Sequence, residues 1–173
     1  MADNFPNILE TDVFAALRAF ILTLVGCEVI RLPVNRTAMP LGDFIALSPK
    51  SSRPLSTNTD TYSATSETVL RPLEITIQVD CYGASACDRA NTIAALFRDD
   101  IAFESLASSG FDISPLYASD ATQLPLISGE DQYIERWTFD FVLQANPVVT
   151  VATQTANALA INQIVSVDRT YPA

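Results

Sequence analysis

The sequence predicts an α+β fold, a mostly antiparallel β-sheet with two main helices packed on one face. Two kinds of periodicity carry that expectation. Leu73 to Tyr82 and Tyr133 to Ala145 alternate apolar and polar residues, which is the two-residue period of a half-buried strand. Thr11 to Val25 and Ala86 to Arg98 instead place apolar residues at helical spacing. A length of 173 residues suits a single domain over 1–173, and 49% hydrophobic residues suffice for its core.

The first helix stops at Gly26, a common residue just past a helix end. Phe14, Leu17, Ile21 and Leu24 form its core stripe, while Val13, Phe20, Leu22 and Val25 extend the apolar surface around it. A helix apolar most of the way round is buried on several sides. A neighbouring subunit or the interior of the monomer can supply that cover. Glu28 to Arg31 and Phe44 to Leu47 read as short strands around an irregular segment containing Pro33, Pro40 and Gly42.

From Ser48 to Ser66, ten of nineteen residues are Ser or Thr, so residues 48–68 are expected as an exposed loop or hairpin arm. In the strand Leu73 to Tyr82, Leu73, Ile75, Ile77, Val79 and Cys81 share the core face. The helix that follows has Ser85 as N-cap with Asp88 three residues on, and buries Ala86, Ala90, Ile93 and Phe97. In the strand Tyr133 to Ala145, Trp137, Phe139, Phe141, Leu143 and Ala145 face inward, with Glu135 the exception near the strand end. Trp137 is accordingly expected in the core. Pro147 breaks this run, Val148 to Val151 continues extended, and the C-terminal segment 152–173 holds a candidate edge strand at Ile164 to Val167.

Composition narrows the function. There is no histidine, which removes the commonest general base and metal ligand and excludes Ser-His-Asp and Cys-His catalysis. No Walker loop, GxGxxG or GxSxG occurs, and no cofactor is expected. Cys27, Cys81 and Cys87 are odd in number and form no CxxC pair, so they are expected as reduced, mostly buried small hydrophobes. The most apolar stretch, Val13 to Val25, is too short for a membrane span, and a soluble protein is expected. Asn35-Arg36-Thr37 fits a glycosylation acceptor, but nothing suggests secretion.

The net charge is −10, with Lys50 the one lysine, so the chain repels polyanions rather than gripping them. Between Asp112 and Asp140, six acids (Asp112, Asp120, Glu130, Asp131, Glu135, Asp140) face one base, Arg136. That segment is either a solvated acidic face or part of a channel wall. Charged residues make up only 17%, below the roughly 25% common in soluble domains. Part of the surface is therefore expected to be covered by neighbours.

Three strings, taken in order, resemble the phage neck or tail terminator family. The first is Asn35-Arg36-Thr37-Ala38-Met39-Pro40-Leu41-Gly42-Asp43-Phe44-Ile45. The second runs from Val79-Asp80-Cys81-Tyr82-Gly83 through Asp88 to Leu96-Phe97-Arg98-Asp99. The third is Gln132-Tyr133-Ile134-Glu135-Arg136-Trp137, followed by Leu143-Gln144-Ala145-Asn146-Pro147. The resemblance extends from Val13 to Asp168. Ala38 and Asp100 depart mildly, where a larger aliphatic residue and a glutamate are expected.

The resemblance implies a homo-oligomeric, six-membered ring that caps the tail tube, stops its growth and docks the neck or connector proteins. Its partners would be the tube protein, the sheath where there is one, and DNA that passes through without specific binding, with no membrane involved. Such a protein belongs in the virion tail or neck and is assembled in the host cytoplasm. Six copies at −10 each carry a formal charge of −60.

The residues expected at subunit or partner contacts are Asn35, Arg36, Asp43, Arg53, Arg98, Asp99, Phe20 and Leu22. Asp112, Asp120, Glu130 and Asp131 are the candidates for an acidic lumen. Arg98 and Asp99 can equally cap the end of the second helix. The rival readings are a head-completion or stopper connector, an unassembled binding module, and a small enzyme holding a divalent cation on Asp99, Asp100 and Glu104, or on Glu130 and Asp131.

Overall fold

The structure, a computed structural model, describes residues 4–33, 40–124, 126–127 and 133–153. In chain order its elements are α1 (Glu10–Leu24), β1 (Glu28–Arg31), β2 (Phe44–Pro54), β3 (Thr59–Tyr62), β4 (Ser66–Leu70), β5 (Leu73–Tyr82), α2 (Ala86–Leu96), α3 (Asp100–Ala107), β6 (Ile113–Ala118), β7 (Thr122–Gln123), β8 (Leu126–Ile127), β9 (Tyr133–Ile134), β10 (Arg136–Ala145) and β11 (Val148–Ala152). The main sheet has the order β1-β2-β5-β10-β6, with β7 also on β10. All its pairings are antiparallel except the parallel pair β1–β2. The predicted α+β class therefore holds, with mixed pairing at one edge.

Alternation sets the two faces. Ile77, Val79 and Cys81 of β5 and Phe139, Phe141 and Leu143 of β10 join Ile45 and Leu47 of β2 beneath the helices. From α1 come Phe14, Leu17, Phe20 and Ile21; from α2 and its C-cap, Ala86, Ala90, Ile93 and Phe97. At the centre the rings of Phe97 and Phe141 stack 3.9 Å apart, and Phe20 tilts onto both at 5.9 and 6.3 Å. The alanines of α2 let it sit close to the sheet, so that Phe97 reaches this stack.

Several sequence expectations need correction. Phe20, expected at a subunit contact, has no exposed surface, because it completes this aromatic stack inside the subunit. The acidic run after α2 forms a third helix, α3, whose Ala102 and Leu106 are fully buried. Ser85 precedes α2 but makes no side-chain cap bond. Glu135 lies between β9 and β10 rather than inside a strand, and accepts the Trp137 indole N–H at 2.9 Å. Trp137 itself is half-buried and packed against the core. Residues 48–68, expected as an exposed loop or hairpin arm, carry the end of β2 through Pro54 and the antiparallel hairpin of β3 with the start of β4. The candidate strand Ile164 to Val167 falls outside the described residues.

A second, outer sheet has the order β11-β4-β3. It prolongs three strands of the main sheet past a break at which each strand carries a proline: Pro54, Pro72 and Pro147. Proline has no N–H for the ladder, so three at one level interrupt the sheet without parting the chains. Two backbone bonds bridge the break, Leu55 N–H to the Pro72 carbonyl at 2.9 Å and Arg71 N–H to the Pro147 carbonyl at 3.1 Å. Residues 49–65 are exposed throughout.

Gly83, at φ +104°, ends β5 in a conformation that favours glycine. A Cβ there would fall 1.7 Å from the Asp43 carboxylate oxygen. Gly83→Ala is thus expected to lower the melting temperature and weaken the Asp43–Arg89 pair. Phe97→Ala should cost about 3–5 kcal/mol, as large-to-small changes in a packed aromatic core do. Urea unfolding of both variants measures these effects.

Candidate assembly surfaces

The helix-free face of the main sheet carries the other half of the alternation. Asp80 of β5 is only 2% exposed, and the Arg136 guanidinium donates to it at 3.1 and 3.0 Å. Gln78 donates to the same carboxylate at 3.1 and 2.9 Å. Alongside, Lys50 donates to Asp140 at 2.6 Å and Arg53 to Glu74 at 2.7 Å. The register of β2 against β5 shifts between Pro49 and Ser51, with Lys50 as the extra residue of a bulge. That shift brings Arg53, which strict alternation from Phe44 would place beneath the helices, onto Glu74.

Other cations are engaged in the same manner. Arg89 pairs with Asp43 at 2.5 Å, and Arg31 pairs with Glu10 at 2.9 Å while lying over the Phe14 ring. Arg18 donates to the Val29 carbonyl at 3.0 Å, and Arg98 donates to the Ala118 carbonyl. Among the described residues, Arg71 alone of the basic side chains lacks such a partner; it lines a shallow hollow with Pro54, Leu55 and Asn58 at the root of the outer sheet. With 20 acids against 10 bases, and seven of the eight described basic side chains engaged, the acids are left in excess.

Arg53 and Asp43, expected at partner contacts, are thus held by partners within the subunit. Arg98 ties the segment after α2 to β6, and Asp99 is the exposed N-cap residue of α3. Leu22 remains 40% exposed on α1. Among the lumen candidates, Asp120 is exposed, and Asp112 is exposed and accepts a bond from Asn146 at 2.9 Å. Asn35, Arg36, Glu130 and Asp131 lie outside the described residues. No group of three side chains that could hold a metal ion occurs among the described residues, so Asp99, Asp100 and Glu104 do not converge on a site.

Sequence reasoning missed α3, β6 and the outer sheet. The signal for α3 was present in Ala102 and Leu106 at i and i+4. The prolines at 54, 72 and 147 marked the sheet break, but only strand pairing shows that they lie level. A separate groove of about 410 Å³ lies beside the start of α1, lined by Pro6, Ile8, Val13, Pro49, Leu73 and Ile75.

All three cysteines are free. Burial pushes the Cys81 thiol up to about 12, with the nearby Cys27 contributing next; burial also raises Cys27.

A family model described as phage neck terminator protein matches residues 11–170. Comparison with curated protein sequences returns no match. Among solved structures, the chain is similar to the sheath/tube terminator of an extracellular contractile injection system, PVC, in its extended state. That likeness has a TM-score of 0.42 and 10% identity, and covers 93% of this chain and 66% of the other, just under two thirds of its length.

Two measurements check the two faces of the sheet. Arg136→Ala leaves the Asp80 carboxylate buried with Gln78 as its remaining side-chain donor and should cost about 2–3 kcal/mol in urea unfolding. The second concerns pH. Below pH 9 the Cys81 thiol is protonated in folded and unfolded chains alike; between pH 9 and about 12 the unfolded chain ionises it first, so stability falls as pH rises through that window. Cys81→Ala should make the fall measurably shallower.

Proposed function

The chain belongs to the phage neck terminator family, a structural component of the phage tail, and from that premise we propose that it forms a closed ring on the last layer of the tail tube. The ring stops tube growth, presents its far face to the neck proteins and lets DNA pass through its opening. The observation that carries this reading is the family match over residues 11–170. The charge arrangement supports the DNA passage. Seven of the eight described basic side chains are held by carboxylates or backbone carbonyls. A ring of such subunits offers a passing duplex almost no phosphate contacts and repels it from the wall.

The chain has no histidine, and no group of side chains that could hold a metal ion occurs among the described residues, which fits a part that acts by shape and contact. Six copies arranged head to tail, one face of each meeting a different face of the next, close by rotation into a ring. The tube protein, a sheath where present and the neck proteins are its partners, and assembly takes place in the host cytoplasm. The exposed outer sheet is the part that reaches beyond the subunit. Asp112 and Asp120, with Glu130 and Asp131, supply acid to the channel wall, and Leu22 on α1 and the Asp99 corner meet neighbouring proteins, as do Asn35 and Arg36.

Electron microscopy of lysates from a phage lacking this gene tests the reading. Unattached tails of irregular, excessive length beside filled heads are expected. Tails of normal length with leaking or unjoined heads would instead place the protein on the head side of the neck, as a stopper.

A further inference from the structure

The outer sheet has two edges, and their backbone groups can be assigned. On β11 the bonds from Thr153 N–H to Thr65 and from Arg71 N–H to Pro147 fix the odd-numbered residues as those facing β4. Val148, Thr150 and Ala152 therefore face outward. Asn7 satisfies Val148 on both counts, its N–H donating to the Val148 carbonyl at 2.9 Å and its side-chain oxygen accepting from the Val148 N–H at 2.7 Å. Thr150 and Ala152 have no backbone partner among the described residues. On β3, the bond from Ser63 N–H to the Ser66 carbonyl sets the other register, in which Asp60 and Tyr62 face outward, also without backbone partners among the described residues.

The main sheet guards its edges. Arg18 takes the Val29 carbonyl on β1, and β6 carries Pro115 and gives its Ala118 carbonyl to Arg98. By contrast, β11 past Val148 has no proline, no charge and, among the described residues, no covering element, and an edge of that kind is a template for another strand.

We propose that the β11 edge of one subunit pairs in parallel with the β3 edge of a second copy of this chain, joining the outer sheets of successive subunits into a continuous belt. This rests on the ring reading. Both β3 and β11 run antiparallel to β4, so they run in the same direction. Copies related by rotation about an axis along these strands keep that direction, and a head-to-tail pairing of the two unlike edges propagates until it closes. The spacing fits. With Thr150 opposite Thr61, the Thr150 N–H donates to the Asp60 carbonyl, and the Thr150 carbonyl accepts from the Tyr62 N–H. The Ala152 N–H then reaches the Tyr62 carbonyl. Because β11 has no ionisable side chain, Asp60 of the next copy meets no like charge there, despite a net charge of −10 per chain.

Hydrogen exchange with single-residue readout tests this without altering the protein, comparing subunits with assemblies formed alone or on tails from a terminator-deficient phage. The amides of Thr150, Ala152 and Tyr62 should slow at least about tenfold on assembly. Assembly with unchanged exchange at these amides would overturn the pairing and leave the ring reading intact. If no assembly forms under either condition, the ring reading fails and the inference falls with it. Slowing on β11 but not β3, and only with tails, would assign the edge to a strand of another protein and overturn the proposal. Thr150→Pro with Ala152→Pro deletes only outward donors. This variant should remain folded, with subunit-like circular dichroism, and fail to assemble; a folded variant that assembles like the parent chain would refute the pairing.

Discussion

The rest of the structure depends on the stack of Phe20, Phe97 and Phe141. One ring comes from α1, one from the end of α2 and one from the central strand β10, so the contact fixes both helices over the same face of the sheet. Dispersion and the loss of water from three large rings drive it. Once that face is committed, the two-residue period of β5 and β10 commits the other to Asp80, Arg136, Asp140 and their partners.

The face so defined constrains the charge. A chain with twice as many acids as bases could have displayed its few cations. Instead it spends them internally: Arg136 neutralises the most buried carboxylate, Arg53 and Lys50 brace the bulged strand beside it, and Arg89 holds Asp43 against Gly83. Among the described basic side chains only Arg71 is left without such a partner. For the proposed passage of DNA this distribution matters more than net charge, because a free cation cluster would bind phosphates that engaged cations do not.

The outer sheet follows from covalent geometry rather than packing. Pro54, Pro72 and Pro147 end the ladder of the main sheet at one level, and beyond them β3, β4 and β11 continue with almost no core of their own. A three-stranded sheet with no fully buried side chain among its described residues has little to stabilise it alone. Its exposed Ser and Thr residues suit water, while Asn7 satisfies one position of its β11 edge and the rest of both edges has no backbone partner among the described residues.

The α+β class, both long helices and the strands β5 and β10 were legible in the sequence, because each is an amphipathic segment whose period depends only on its own residues, whereas only Phe44 to Leu47 of the eleven-residue β2 was. The family resemblance was legible for the same reason, being carried by strings in order. Tertiary structure alone decided the partners. Phe20 differs little in sequence from the exposed Leu22, yet it fills the gap between Phe97 and Phe141 and is entirely internal. Arg53 turns toward Glu74 because a bulge at Lys50 reverses the parity of β2, and sequence alternation cannot count a residue that the register skips. The first part of the Ser/Thr-rich run became strand because β5 lay alongside to pair with it, a backbone match across the chain that no local composition encodes.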